Sequence, residues 1–103
     1  MDHRTTVLIA DNSEEFCSGL SAALTSEDFQ VLGTAADGEQ ALRLIAERKP
    51  EILVLDLMLP KRDGISMLKA IAAMEQKPIT LATSGFVTDY VASTAANLGV
   101  RYL

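Results

Sequence analysis

The sequence predicts an α/β fold in which a five-stranded parallel sheet is doubly wound, with helices on both faces. Short apolar runs, of which residues 7–10 and 52–55 are apolar throughout, alternate with segments of helical period along the 103 residues. The apolar runs lack the polar alternation of half-exposed strands, which is typical of a parallel sheet covered on both sides. With 49% hydrophobic and 22% charged residues, the chain has the composition of one ordered domain.

The predicted order of elements is β-α-β-α-β-α-β-α-β. The strands are apolar runs that end at polar or turn residues, namely residues 7–10, 30–35, 52–55, 79–83 and 100–103. The helices carry apolar side chains three and four residues apart, over residues 14–25, 39–48, 64–75 and 87–98. Ser13 is the expected N-cap of the first helix, Pro50 stops the second, and Gly99 caps the fourth.

The core is expected to be aliphatic, because aromatic residues make up only 5% of the chain and Trp is absent. The helices are expected to bury three sets of apolar side chains: Phe16, Leu20 and Leu24; Ala41, Leu42 and Ile45; Leu68, Ile71 and Met74. The single cysteine, Cys17, is expected to be a packed thiol rather than a reactive nucleophile. A lone cysteine permits no intramolecular disulfide, which fits a reducing cytoplasm.

Several functional classes are disfavoured by composition. The net charge of −5 and the absence of any Lys/Arg-rich run disfavour nucleic-acid binding by this segment, although a separate DNA-binding domain is not excluded. No apolar run approaches the roughly 20 residues of a membrane span, and residues 1–4 show no signal-peptide pattern, so we expect a cytoplasmic protein without membrane contact. His3 is the only histidine, which disfavours a histidine base or a His-rich metal site.

Three polar residues follow predicted strands: Asp11 after the first, Asp56 after the third and Thr83 after the fourth. Ligands of open parallel sheets bind at the carboxyl ends of the strands, so these side chains would converge if the three strands are neighbours. Two nearby carboxylates repel each other unless a cation lies between them, and oxygen ligands with room for water favour Mg²⁺. A carboxylate there could attack phosphorus and form an aspartyl phosphate, with the Thr83 hydroxyl bonded to a phosphoryl oxygen.

A simpler interpretation of the same residues stays open. Asp56 could be only a turn residue, Asp11 could join Ser13 in capping the first helix, and the segment from Thr83 to Gly85 could be an ordinary Ser/Thr turn. The presence of three such residues at the ends of three different strands favours a site.

The segment from Leu53 to Gly64, LVLDLMLPKRDG, resembles the phosphoacceptor strand and the following loop of response-regulator receiver domains. The segment from Asp37 to Leu42, DGEQAL, resembles the start of that family's second helix. The resemblance covers nearly the whole chain. It implies a flavodoxin-like sheet with the strand order 2-1-3-4-5.

The resemblance also implies a role for individual residues. Asp56 would be the phosphoacceptor, Thr83 the switch hydroxyl and Ser84 the small residue beside it. The Mg²⁺ ligands would be Asp11, Asn12, Asp56 and the backbone carbonyl of Met58.

This sequence departs from the pattern of the family at two places. Asn12 occupies a position where the family usually has an acidic metal ligand, which should weaken Mg²⁺ binding.

The second departure is at the end of the chain. The family has a Lys just after the fifth strand and then a final helix, and this sequence stops at Leu103 before both. Residues 1–103 would therefore be a receiver domain truncated before its last helix. The family's aromatic switch position corresponds to Tyr102 or Leu103.

The leading functional hypothesis is a phosphorylation switch. A histidine kinase or a histidine phosphotransfer protein would donate the phosphoryl group, and the domain itself would do no more than phosphorylate and dephosphorylate itself. Residues 7–12, 54–68 and 97–103 are most similar to the receiver half of the stage-zero sporulation transcription factor. That similarity implies homodimerisation and transcriptional output through DNA bound by a C-terminal domain outside this chain.

Two other classes compete with this hypothesis. A pseudo-receiver would bind partner proteins without being phosphorylated, and Asn12 and the absent Lys favour it. A flavin- or nucleotide-binding enzyme is disfavoured, because the first βα turn, Asp11 to Glu14, has no Gly-rich phosphate cradle.

Overall fold

The computed structural model describes residues 4–61 and 63–83, together with the backbone of residues 101–102. The strands are Thr5–Ala10 (β1), Phe29–Ala35 (β2), Ile52–Asp56 (β3) and Ile79–Thr83 (β4). The helices are Glu14–Leu24 (α1), Gly38–Arg48 (α2) and Gly64–Ala72 (α3). The four strands and three helices predicted before residue 84 are confirmed as elements, with differences in some of their bounds. The predicted helix 87–98 and its cap Gly99 lie outside the described residues.

The strands form one parallel sheet in the order β2-β1-β3-β4, as predicted. A two-residue stretch, Arg101–Tyr102, continues the sheet by pairing in parallel with Leu81 and Ala82 of β4. Because residues 100 and 103 lie outside the described part of the chain, a complete fifth strand stays a prediction. This order makes β1, β3 and β4 neighbours.

Each face of the sheet carries its own apolar cluster, because successive side chains of a strand point to opposite faces. Val7, Ile9 and Val54 face α1 and pack with Cys17. The intervening residues of the same strands face α2 and α3 and form the larger cluster, which contains Leu8, Ala10, Ala35, Ala41, Ile45, Leu53, Leu55, Leu57, Leu59, Met67, Leu68, Ile71 and Ala82. The expectation of an aliphatic core and of a packed Cys17 is confirmed.

The helix starts are fixed by side-chain caps. Ser13 accepts a hydrogen bond from the Phe16 N–H at 3.2 Å, which confirms the predicted cap of α1. Asp37 caps α2 and Asp63 caps α3 in the same way, with Oδ1 as the acceptor. Helix α2 ends in a left-handed residue, Lys49, with φ 46°.

Two helical predictions are wrong in detail. Phe16 is 39% exposed rather than buried, because α1 packs through Cys17, Leu20 and Leu24, and Phe16 lies about 100° around the helix from Cys17. Helix α3 ends at Ala72 instead of residue 75, and Met67 joins Leu68 and Ile71 in the core while Met74 packs beyond the helix end. Among the described helices, none has the length and apolarity needed to cross a membrane.

Candidate functional site

Three predicted site residues lie at the same edge of the sheet. Asp56 is the last residue of β3 and stands opposite Thr83, the last residue of β4. Asp11 follows β1 directly, one residue beyond the paired Ala10 and Leu55, so it lies beside Asp56 on the neighbouring strand. Adjacent strands are about 4.8 Å apart, which brings two carboxylates and one hydroxyl-bearing side chain together at the carboxyl edge.

Asp11 is held by three hydrogen bonds. Its N–H donates to the Ala35 carbonyl at 2.9 Å, and its Oδ1 accepts from the Ser13 N–H at 2.8 Å. The Cys17 thiol donates to the Asp11 carbonyl at 3.3 Å. The turn role considered for Asp11 is therefore present, but it uses one carboxylate oxygen and does not occupy the second.

The buried thiol of Cys17, which contacts the Asp11 carbonyl, is poorly suited to act as a nucleophile. Burial raises the pKa of Cys17, and the negative charge of Asp11 raises it further. A raised thiol pKa keeps the group protonated, so it acts as a hydrogen-bond donor to the strand end rather than as a nucleophile. Asn12, the next residue after Asp11, is exposed to solvent.

Asp56 is half-buried and bonded in a similar way. Its Oδ1 accepts from the Met58 N–H at 2.9 Å, and the next residue, Leu57, donates its N–H to the Thr83 carbonyl at 3.1 Å. The second bond extends the β3–β4 ladder past Asp56 and keeps Thr83 beside it. The turn uses Asp56 Oδ1, and the hydrogen bonds among the described residues do not involve the other carboxylate oxygen.

The loop after Asp56 alternates between buried and exposed residues. Leu57 and Leu59 are buried in the larger cluster, whereas Met58 between them is 65% exposed. Gly64 packs so closely against Leu57 that a Cβ at this position would lie 2.6 Å from the Leu57 carbonyl oxygen. Leu57 and Gly64 are recognisable in the sequence only as parts of a motif, and their packing roles are seen only in the folded contact.

The donors at this edge fit Mg²⁺ chemically. Asp11 and Asp56 would supply carboxylates, and the predicted ligands Asn12 and Met58 would add an amide oxygen and a peptide carbonyl; oxygen donors of this kind suit a hard divalent cation. Among the described residues, no three side chains of His, Cys, Asp or Glu form a metal cluster.

The remaining predicted residues cannot be placed. Ser84 and Leu103 lie outside the described residues, and only the backbone of Tyr102 is described. The choice between Tyr102 and Leu103 as the switch position therefore stays open.

Comparison with known proteins gives concordant matches. The sequence model of the response regulator receiver domain family matches residues 7–103. Transcriptional regulatory protein PdtaR of Mycobacterium tuberculosis (strain CDC 1551 / Oshkosh) is 33% identical over 85 residues, which is 82% of this chain and 42% of that protein. The chain thus spans less than half the length of this curated relative.

Two solved structures are similar over almost the whole chain. The signal receiver domain of the putative response regulator NarL from Mycobacterium tuberculosis has a TM-score of 0.87 and 28% identity, covering 97% of this chain and 82% of that one. The CheX–CheY–BeF3–Mg²⁺ complex from Borrelia burgdorferi has a TM-score of 0.85 and 29% identity, covering 95% and 75%.

Proposed function

Since this chain belongs to the response regulator receiver domain family and so to two-component signalling, we propose that Asp56 accepts a phosphoryl group that switches a downstream output. The proposal rests mainly on the register of β1, β3 and β4, which determines the residues that meet at the carboxyl edge of the sheet. Asp56 stands opposite Thr83 on one side and beside Asp11 on the other. A nucleophile, a hydroxyl donor and a second carboxylate thus share one edge.

The proposed step is an in-line transfer. The Asp56 oxygen that is not bonded to the Met58 N–H attacks the phosphorus, forming an O–P bond as the bond from phosphorus to the donor breaks. When the donor is a phosphohistidine, the departing imidazole nitrogen takes up a proton. The Thr83 hydroxyl donates to a phosphoryl oxygen of the product, and Ser84 follows it in sequence.

The proposed cation ligands are Asp11, Asn12, Asp56 and the Met58 carbonyl. Bound Mg²⁺ would supply positive charge that neutralises the phosphoryl oxygens. The Borrelia relative was solved with BeF3 and Mg²⁺, which supports the same cation here. Asn12 contributes no formal charge, so we expect weaker Mg²⁺ binding than an Asp at this position would give.

The proposed partners are a histidine kinase or a histidine phosphotransfer protein in the cytoplasm. The domain is not an enzyme with its own substrate; its chemistry is limited to gaining and losing phosphate. A relative described as a transcriptional regulatory protein supports a transcriptional output. A sporulation-type output, with homodimerisation and DNA bound by a further domain, is a narrower hypothesis that rests on the resemblance of residues 7–12, 54–68 and 97–103.

Intact-mass spectrometry tests the proposal. The purified chain is incubated with acetyl phosphate and Mg²⁺, and we expect a phosphate-sized mass gain that is lost in Asp56→Asn and when Mg²⁺ is chelated. Asp28→Asn is the matched control, because Asp28 is an exposed carboxylate just before β2, at the opposite edge of the sheet. A mass gain that persists in Asp56→Asn contradicts the assignment.

The pseudo-receiver is the second candidate, and Asn12 is the observation that favours it. On that account a folded chain gains no phosphate under any of these conditions. Repeating the reaction with Asn12→Asp separates the two candidates further. A gain restored by the added carboxylate indicates a receiver domain with a weakened cation site. No gain in either chain, repeated in versions that extend past Leu103 to include the Lys and the final helix of the family, supports the binding module.

A further inference from the structure

The loop that follows Asp56 is tied to the start of α2 at two consecutive residues. The Gly38 N–H donates to the Pro60 carbonyl at 3.0 Å, and the Lys61 Nζ lies 3.5 Å from Asp37 Oδ2. We call this pair of contacts the α2 clasp. Its members are more than 20 residues apart in sequence, so the clasp joins two separate loops of the carboxyl edge.

On the α2 side of the clasp, Asp37 is held in place by its own hydrogen bonds and by the packing of the helix. Asp37 Oδ1 accepts from the Gln40 N–H at 2.8 Å, and Oδ2 is the oxygen that meets Lys61. The bond from Gln40 and, less strongly, the charge of Lys61 lower the pKa of Asp37, so it is ionised at neutral pH. Helix α2 is itself anchored in the core by Ala41 and Ile45.

On the loop side of the clasp, the backbone of Lys61 adopts a left-handed conformation. Lys61 has a φ of 71°, in the left-handed region that is uncommon for a residue with a Cβ. This conformation turns the chain between the exposed Pro60 and the capping residue Asp63. Met58 is fixed on the other side by the bond to Asp56, and Leu59 between them is buried.

We propose that the α2 clasp positions the loop after Asp56, with Lys61 as a positioning residue that keeps the Met58 carbonyl at the cation site. The inference rests on the proposed function, because it assigns Met58 as a Mg²⁺ ligand. Lys61 acts through the backbone and does not contact the phosphoryl group. The effect is modest, since the Lys61 side chain is 59% exposed and its ion pair is screened by water.

The direction in which Mg²⁺ affinity changes when Lys61 loses its charge shows whether Lys61 positions the loop or only repels the cation. Removing a positive charge close to a cation site should raise Mg²⁺ affinity through Coulomb interaction alone. If Lys61 positions the loop, its removal should lower that affinity instead, because the loop becomes free to move its carbonyl away. Lys61→Met keeps an unbranched side chain of nearly the same length and removes the ammonium group that meets Asp37.

The experiment is a Mg²⁺ titration of the whole chain followed by NMR, with amide exchange of Met58 and Leu59 measured on the same samples. We expect Lys61→Met to weaken Mg²⁺ binding about two- to fivefold and to speed exchange of both amides. Lys61→Arg should restore both values. Lys77→Met removes the same charge from an exposed residue before β4, at the opposite edge of the sheet, and should change neither.

Asp37→Asn completes a double-mutant cycle, since Asn still caps a helix but carries no charge. The double variant should bind Mg²⁺ no more weakly than the weaker of the two single variants. Unchanged or tighter binding by Lys61→Met, or fully additive losses in the cycle, overturns the inference while leaving the proposed function intact. A wild-type chain that binds no Mg²⁺ overturns both, so the two failures are distinguishable.

Discussion

Gly64 is the residue whose substitution most directly tests how the loop after Asp56 is packed. It is the first residue of α3, and an added Cβ would lie 2.6 Å from the Leu57 carbonyl oxygen and 2.8 Å from the Leu57 Cβ. Neither atom can rotate away, because both are fixed by the Leu57 backbone. Leu57 is itself buried and bonded through its N–H to the Thr83 carbonyl.

Gly64→Ala should therefore destabilise the domain. Overpacking of a rigid contact costs about 1–3 kcal/mol, whereas replacing Gly by Ala inside a helix stabilises by up to about 1 kcal/mol. Subtracting the full gain leaves an expected net loss of up to about 2 kcal/mol in the free energy of unfolding. Because the displaced residue follows Asp56 directly, the rate of phosphorylation by acetyl phosphate should fall as well.

Gly19→Ala is the matched control for this substitution. Gly19 lies within α1, and an added Cβ would meet nothing within 4 Å. This variant should be more stable than the wild type by about 0.5–1 kcal/mol. Urea unfolding of the three chains gives the comparison. If Gly64→Ala is as stable as Gly19→Ala, the close contact with Leu57 is wrong.

Three further predictions concern the cation site and its surroundings. Asn12→Asp should tighten Mg²⁺ binding about tenfold or more, because an added unit charge at ligand distance contributes at least about 1.4 kcal/mol; a titration that shows no gain counts against this residue as a ligand. The pKa of Asp37 is lower in the folded chain than its ordinary value of about 3.9 in the unfolded chain, so the ionised carboxylate stabilises the fold. This stabilisation is fully present above about pH 3.9 and is lost as the pH falls through the lower pKa of the folded chain. Asp37→Asn should therefore lose less stability than the wild type on acidification, and parallel curves of unfolding free energy against pH would argue against it. The raised pKa of buried Cys17 should make its alkylation by iodoacetamide at pH 8 much slower in the folded chain than in urea, and equal rates would refute the packed thiol.

Local patterns were sufficient to predict most element boundaries. Strand β4 has the predicted limits because its apolar run is preceded by Pro78, and α1 begins where predicted because Ser13 is a good N-cap. Phe16 shows the limit of such patterns. Spacing of four residues places it with Leu20 and Leu24, but packing against the sheet selected Cys17 one position later.

The meeting of Asp11, Asp56 and Thr83 at one edge of the sheet was predictable from the sequence, but the contacts that support this edge were not. Each of the three residues ends or directly follows a strand, and parallel strands end at a common edge. The contacts of Gly64 with Leu57 and of Lys61 with Asp37 depend on how two loops meet in three dimensions. No spacing in the sequence encodes such a meeting, so these residues were identified only from the fold.

Asp56 is the proposed phosphoacceptor, and localisation of the modified residue is the decisive test of that assignment. The chain is treated with acetyl phosphate and Mg²⁺, the aspartyl phosphate is reduced with borohydride, and the modified position is read by tandem mass spectrometry of the peptides. We expect reduction at Asp56, with Asp11 and Asp63 unmodified. Modification at either of those residues, or at no residue in a folded chain that binds Mg²⁺, would contradict it.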